Sequence, residues 1–231
     1  MLEEKLDLLL KKYDVPVRAE MKGTDSVVIE GKEVPLLPHR YERRFTELHK
    51  MLHDGTVTGI SAVRCGNVAP WDVPLTRLIG RELDLCRFLT GQEIVGLTAF
   101  IRDNRAATLI AEMDDGVVCP IEVANTLPEG SDPIDKHEVI SARGFVCDRV
   151  VDTQIPQQSV YLYGETNEAY TDVDFELYGL TAAEAAAVRC AFALAKDEGL
   201  RKQMLENKAV LDRLTACAVQ SAKDGKRVNV G

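Results

Sequence analysis

Apolar residues recur at two different periods along this chain, and the switch between the periods marks its organisation. Leu2, Leu6, Leu9, Leu10 and Tyr13 fall at helical spacing and predict an amphipathic helix that Asp14 and Pro16 end. Segments 15–21 and 27–37 read as extended, separated by the turn cluster 22–26, with Gly31-Lys32 offering a tight hairpin turn. Tyr41, Phe45, Leu48 and Leu52 predict a second helix over 40–53, stopped by Asp54-Gly55 in the manner of a glycine C-cap. A strand over 56–64 and a loop over 67–74 follow, the loop holding the only tryptophan, Trp71. Leu78, Ile79, Leu83, Cys86 and Leu89 then predict a helix over 75–90, closed by Gly91.

After Gly91 the period falls to two. Short β segments are expected at 94–101, 107–113, 117–123, 138–142, 145–150 and 159–163, joined by turns such as Asp114-Asp-Gly116 and Arg143-Gly144. Strands joined by so few residues pair antiparallel. Helical spacing returns over 181–196, opened by the capping box Thr181-Ala-Ala-Glu184, and over 200–223. The predicted fold class is α+β, a large and mainly antiparallel open sheet with helices on one face and the other face left for something else to cover. We read residues 1–231 as one domain, with 1–37 a helix-and-hairpin extension and 38–231 the α+β body.

Composition narrows the function classes. Hydrophobic residues at 45% and charged residues at 28% are ordinary for a globular protein with a sizeable core. A net charge of −9 argues against nucleic acid as a partner, since phosphate binding rests on clustered Lys and Arg. No apolar run approaches the ~18 residues of a membrane span, and the first residues lack a signal-peptide core, so the expectation is a cytoplasmic protein with no membrane partner. The six cysteines are dispersed, without a CxxC pair, and read as reduced thiols; Cys119 and Cys147 fall on expected strands and read as core residues.

Few residues suggest chemistry. Arg77, Arg81 and Asp84 stand at i, i+4 and i+7 on one helix face, either as a pocket for an acidic or phosphorylated ligand or as a salt-bridge ladder. Trp71, just before that helix, either stacks on a sugar ring or anchors its loop. His49 and His53, at i and i+4, could offer two rings to a metal, but no third ligand is placed and a charged surface is expected. Asp132, Asp135, His137 and Glu138 crowd one stretch beside Pro133 and read as a solvated loop. No catalytic residue, cofactor or metal ligand is assigned.

Several of these stretches, taken in order, resemble the Gfo/Idh/MocA oxidoreductases. Residues 40–60 are similar to that family's helix, acidic-Gly turn and first strand; 78–91, Leu-Ile-Gly-Arg-Glu-Leu-Asp-Leu-Cys-Arg-Phe-Leu-Thr-Gly, resemble the second half of its D-x-G-x-H-x-x-D helix. Asp114-Asp-Gly116, Asn125-Thr-Leu-Pro128, 138–145 and 218–228 resemble its later hairpin, strand and closing segment. The resemblance implies the substrate-side, C-terminal domain of such an enzyme and a homodimer formed through the sheet face. It also implies a nucleotide-binding half, yet no G-x-G-x-x-G or Glu-Lys-Pro stands ahead of these segments, and the chain is expected to begin where that half would end. If Asp84 is the second helix aspartate, Arg81 replaces the family's histidine and Arg77 its first aspartate. A guanidinium stays protonated and cannot act as acid or base. Two functions remain expected: a non-catalytic module that binds a carbohydrate-like or acidic ligand or drives assembly, and a subunit that completes an oxidoreductase in trans with a separate Rossmann-domain chain.

Overall fold

A computed structural model describes residues 1–148, 159–163, 167–171 and 176–230. The chain divides into two compact units, Met1–Thr46 with Asp172–Val210, and Glu47–Thr171 with Leu211–Gly231.

In the first unit, α1 (Leu2–Lys12) turns Leu6, Leu9 and Leu10 inward and packs against α4 (Ala182–Lys196). The inward stripe of α4 is mostly small, with Ala186, Ala187, Ala191 and Ala195 buried beside Val188 and Leu194, which lets neighbouring elements approach closely. The expected capping box is formed: Thr181 caps the Glu184 backbone, and the Glu184 carboxylate accepts from the Thr181 backbone. Strands β1 (Ala19–Lys22), β2 (Ser26–Ile29) and β3 (Lys32–Pro35) form a three-stranded antiparallel meander. The turn between β2 and β3 falls one residue earlier than the sequence suggested. Glu30 and Gly31 are both left-handed, at φ 51° and 80°, as a two-residue hairpin turn requires. The helix expected from residue 40 begins later, as α2 (Arg43–His53), because Pro38–Tyr41 forms a 3-10 turn.

The second unit is built on a nine-stranded sheet among the described residues. Its strands are β4 (Ile60–Pro70), β5 (Ile94–Arg102), β6 (Ala106–Met113), β7 (Val118–Leu127), β8 (Ile134–Ser141), β9 (Gly144–Cys147), β10 (Ser159–Tyr163), β11 (Asn167–Thr171) and β12 (Val228–Asn229). Their order is β11-β10-β9-β8-β4-β7-β6-β5-β12, and each pairing is antiparallel except β4 with β7. Helix α3 (Leu75–Thr90) lies across β4, β6 and β7 and ends at Gly91, left-handed at φ 70°. The last part of α5 (Glu198–Asp224) covers β5, where the buried Ser221 hydroxyl accepts from the Ala99 backbone N–H at 3.0 Å.

Register places successive residues of the covered face in rows. One row runs Ala99, Leu109, Ile121, Cys65 and His137; the next runs Ala107, Val123, Asn67 and Asp135. The opposite face shows Phe100, Val118, Ile140 and Phe145 to solvent. The loop expected from residue 67 therefore starts late. Asn67–Pro70 continue β4, their inward positions Asn67 and Ala69 being buried, and the loop begins at Trp71.

Candidate functional site

Beneath α3 the covered face carries a buried polar cluster. His137 on β8 is fully buried, and so are Glu82 on α3 and, just after β9, Asp148. The imidazole bridges the two carboxylates, with Nδ1 2.6 Å from Asp148 Oδ2 and Nε2 2.8 Å from Glu82 Oε2. The His137 backbone N–H donates to Asp148 Oδ1 at 2.7 Å, so aspartate and histidine are locked together by two bonds. The other oxygen of Glu82 accepts from Asn67 Nδ2 at 2.9 Å and from Arg81 Nη1 at 2.5 Å, and Arg81 Nη2 donates to Asp135 Oδ2 at 2.9 Å.

The electrostatics follow from this packing. Both ring nitrogens face carboxylate oxygens, which only accept, so the imidazolium with two N–H donors satisfies the geometry best. Burial pushes the His137 pKa down, but Asp148 and Glu82 together hold it well above its ordinary value. Burial likewise pushes Glu82 up, yet the positive charge of Arg81 and the His137 imidazole bring its carboxyl down to about 2.

This cluster overturns one expectation. The stretch around His137 is not a solvated loop but strand β8, with His137 facing the core and Ile134 and Ile140 facing outward. The signal was present in the alternation: counting back by twos from the apolar Val139 puts His137 and Asp135 on the covered face. Glu82 stands likewise on the buried stripe of α3, three residues after Ile79 and four before Cys86.

A second feature lies at the end of the sheet. Trp71, Asp72, Val73, Pro74, Thr76, Asp103, Asn104, Arg105 and Asn125 line an open cleft of about 630 Å³. The loop after β4 is stitched to β7, since Trp71 N–H donates to Leu127 O and Asn125 Nδ2 donates to Val73 O, each at 2.9 Å. Arg105 Nη1 donates to the Trp71 carbonyl at 3.2 Å and to the Asn125 carbonyl at 3.4 Å. Asp103 and Asn104 are left-handed, at φ 52° and 53°, and are the central pair of the turn from β5 into β6, closed by Arg105 N–H donating to Arg102 O at 2.9 Å, which sets them at the rim. The Trp71 indole is half exposed, and Asn125 Oδ1 is buried without a hydrogen-bond partner.

The sequence-selected residues take separate places. Trp71 lines the cleft, Arg77 is exposed on α3, Arg81 joins the buried cluster, and Asp84 is fully buried with Arg87 Nη1 at 3.5 Å. His49 and His53 stack at 4.1 Å between ring centroids, and His53 Nδ1 lies 2.7 Å from the His49 carbonyl. The cleft residues Asp103, Asn104, Arg105 and Asn125 were missed, because only the β5–β6 turn and the end of β7 bring them to the tryptophan loop.

No protein-family profile matches the chain, and no curated protein does. Solved structures do match. An oxidoreductase domain protein from Kribbella flavida superposes with a TM-score of 0.65 at 13% identity over 84% of this chain and 66% of its own. A levoglucosan dehydrogenase determined with NADH and levoglucosan gives 0.66 at 13% identity, over 84% and 65%. The transcriptional regulator Gal80p from Kluyveromyces lactis gives 0.66 at 12% identity, over 84% and 61%. The chain thus spans just under two thirds of the length of the structures it resembles.

The levoglucosan dehydrogenase structure holds a nicotinamide nucleotide. A dinucleotide cradle needs a strand, a Gly-rich turn and a helix N-terminus in a parallel unit. Among the described residues the parallel pairing is β4 with β7, and β4 leads through Pro74, not glycine, into α3. Gly55 and Gly59 follow a helix, not a strand. These residues do not fit the nucleotide. In architecture the chain shares the α+β fold of part of these oxidoreductase structures.

Proposed function

We propose that this chain is a ligand-binding and assembly module on an oxidoreductase fold, and that the Trp71 cleft takes a neutral, polyhydroxylated small molecule. The observation that carries the reading is the lining of the cleft: one half-exposed indole among the side chains of Asp72, Thr76, Asp103, Asn104 and Asn125, with Arg105, the one lining cation among the described residues, turned onto the Trp71 and Asn125 carbonyls. An aromatic face with converging short polar groups suits a sugar ring and its hydroxyls. The acidic alternative rested on Arg77, Arg81 and Asp84; of these the Arg81 guanidinium already serves Glu82 and Asp135, and Asp84 is buried beside Arg87. The same fold serves a transcriptional regulator as well as dehydrogenases, so it does not require catalysis.

Assembly is the second half of this reading. The solvent-facing side of the sheet carries Phe100, Val118, Ile140 and Phe145, and apolar groups gathered on one face favour burial against a second copy. An isologous homodimer through this face, cytoplasmic in location, completes the proposal.

Because Trp71 is the only tryptophan, its fluorescence reports on the cleft directly. Titration with levoglucosan and myo-inositol, the ligand classes named for structural neighbours, is expected to give saturable quenching that weakens in Asp72→Ala. Sugar phosphates and sugar acids should give less. Quenching by anions alone, abolished in Arg77→Ala, would replace this reading with the acidic one.

A second reading has one observation behind it, that the match covers 66% or less of each of the three neighbours named above. A separate nucleotide-binding chain would then complete an oxidoreductase in trans. Calorimetry with NADH discriminates the two: the chain alone should show no binding, and heat that appears only with a Rossmann-domain partner present would favour the second.

A further inference from the structure

The Glu82–His137 contact has a third neighbour that the hydrogen bonds leave out. Cys65 sits directly across from His137 in the β4–β8 register, on the same covered face. Its Sγ, a Glu82 carboxylate oxygen and a His137 ring nitrogen all lie within 4.8 Å of one another, and all three residues are buried. Thiolate, imidazole and carboxylate are the donor types that zinc takes, and an ion at their centre needs ligand atoms a little over 3 Å apart.

The surroundings resemble the outer shell of a built metal site. A ligating histidine normally gives its second ring nitrogen to a carboxylate, and His137 Nδ1 meets Asp148 Oδ2 at 2.6 Å. A ligating carboxylate is normally held by its free oxygen, and Glu82 Oε1 is held by Asn67 and Arg81. Asn67 supplies an independent observation. It is 3% exposed, and its Oδ1 lacks a hydrogen-bond partner while its amide nitrogen touches Glu82. A cation, or water on a cation, would give that oxygen what it lacks. Cys86 offers a further thiol, 3.8 Å from Cys65 Sγ.

We propose that Cys65, Glu82 and His137 form a buried structural site for a zinc-like divalent cation, with Asp148, Asn67 and Arg81 as its orienting shell. Binding makes bonds to Sγ, Nε2 and Oε2 and releases two protons, one from the thiol and one from the imidazolium. The ion's two positive charges replace the two protons, so the buried cluster keeps its net charge. Entry is expected during folding, since these ligands are closed to solvent.

The test uses the full chain. Protein produced with zinc in the medium should retain about one ion per chain after gel filtration. Refolding with cobalt should give a thiolate-to-cobalt charge-transfer band and the strong visible bands of four-coordinate cobalt. Cys65→Ala should lose the charge-transfer band, and Cys217→Ala should keep it. Should Cys65→Ala fail to fold, X-ray absorption at the zinc edge of the unaltered chain must show sulfur beside nitrogen and oxygen. Absence of retained metal, a band that survives Cys65→Ala, or a shell of nitrogen and oxygen only would each overturn the site.

Discussion

Arg81 Nη2 lies 2.9 Å from Asp135 Oδ2, so the guanidinium that the helix spacing offered to a ligand ties α3 to strand β8. Its Nη1 also meets Glu82, which is fully buried. Removing one partner of a buried pair leaves an uncompensated charge, which costs more than the pair contributes. Arg81→Ala is expected to lose about 3 kcal/mol in urea unfolding. Arg81→Lys should recover part of that, because a single ammonium cannot reproduce the two-pronged contact. An Arg81→Ala midpoint equal to the parent's would show that this cluster does not hold the unit together.

The residues that sequence made legible are those whose structure is decided locally. Helix α3 closes at Gly91 as its pattern indicated, and Thr181 and Glu184 form their capping box, because caps and stripes depend on neighbours within a turn. The parts that were not legible depend on distant partners. His137 meets Glu82 across 55 residues, and its own strand turns Ile134 and Ile140 outward, against the usual polarity. Read alone, such a stretch looks solvated. The cleft has the same character, since Arg105 reaches the Trp71 carbonyl across 34 residues. Strand β4 ran past its expected end because Asn67 is polar, yet it is held inside by Glu82.

Gly91 provides a test of the local part. Its φ is 70°, and a Cβ there would stand 2.8 Å from His53 Nε2. A left-handed non-glycine residue costs roughly 1–2 kcal/mol. Gly91→Ala should therefore lose about 2 kcal/mol in thermal or urea unfolding, with the His53 ring displaced. Gly116→Ala has a positive φ of 89° with open space around it, so it should show the backbone cost alone. Equal losses in the two variants would remove the His53 contact from the account.

The open sheet face makes a separate prediction. Phe100 is 66% exposed, and register sets it in one row with Thr108, Glu122, Gly66 and Lys136. If two copies meet on this face, light scattering should give a dimer, with an interface of about 1,000 Å² or more. Phe100→Glu should then yield monomers whose secondary structure and cooperative unfolding are retained, because the side chain is largely exposed within its own chain. A parent protein that is monomeric at high concentration would end the proposal.

The buried cluster also sets a pH window for the metal-free chain, prepared by chelation. Glu82 is pushed up by burial but lowered more by Arg81 and His137, leaving it at about 2 against an ordinary 4.5. A depressed carboxyl contributes stability above pH 4.5 that is lost as pH falls towards about 2. His137 is pushed down by burial but raised well above 6.5 by Asp148 and Glu82. A raised imidazole contributes stability that is full below pH 6.5 and lost as pH climbs through its folded value. The two contributions are complete together between pH 4.5 and 6.5, so unfolding free energy from this cluster should peak there. In His137→Gln the amide keeps a donor but cannot take up a proton, and the decline above pH 6.5 should flatten. Urea midpoints collected for both proteins from pH 3 to 9 would decide it, and parallel curves would show that the imidazole is neutral in the folded chain.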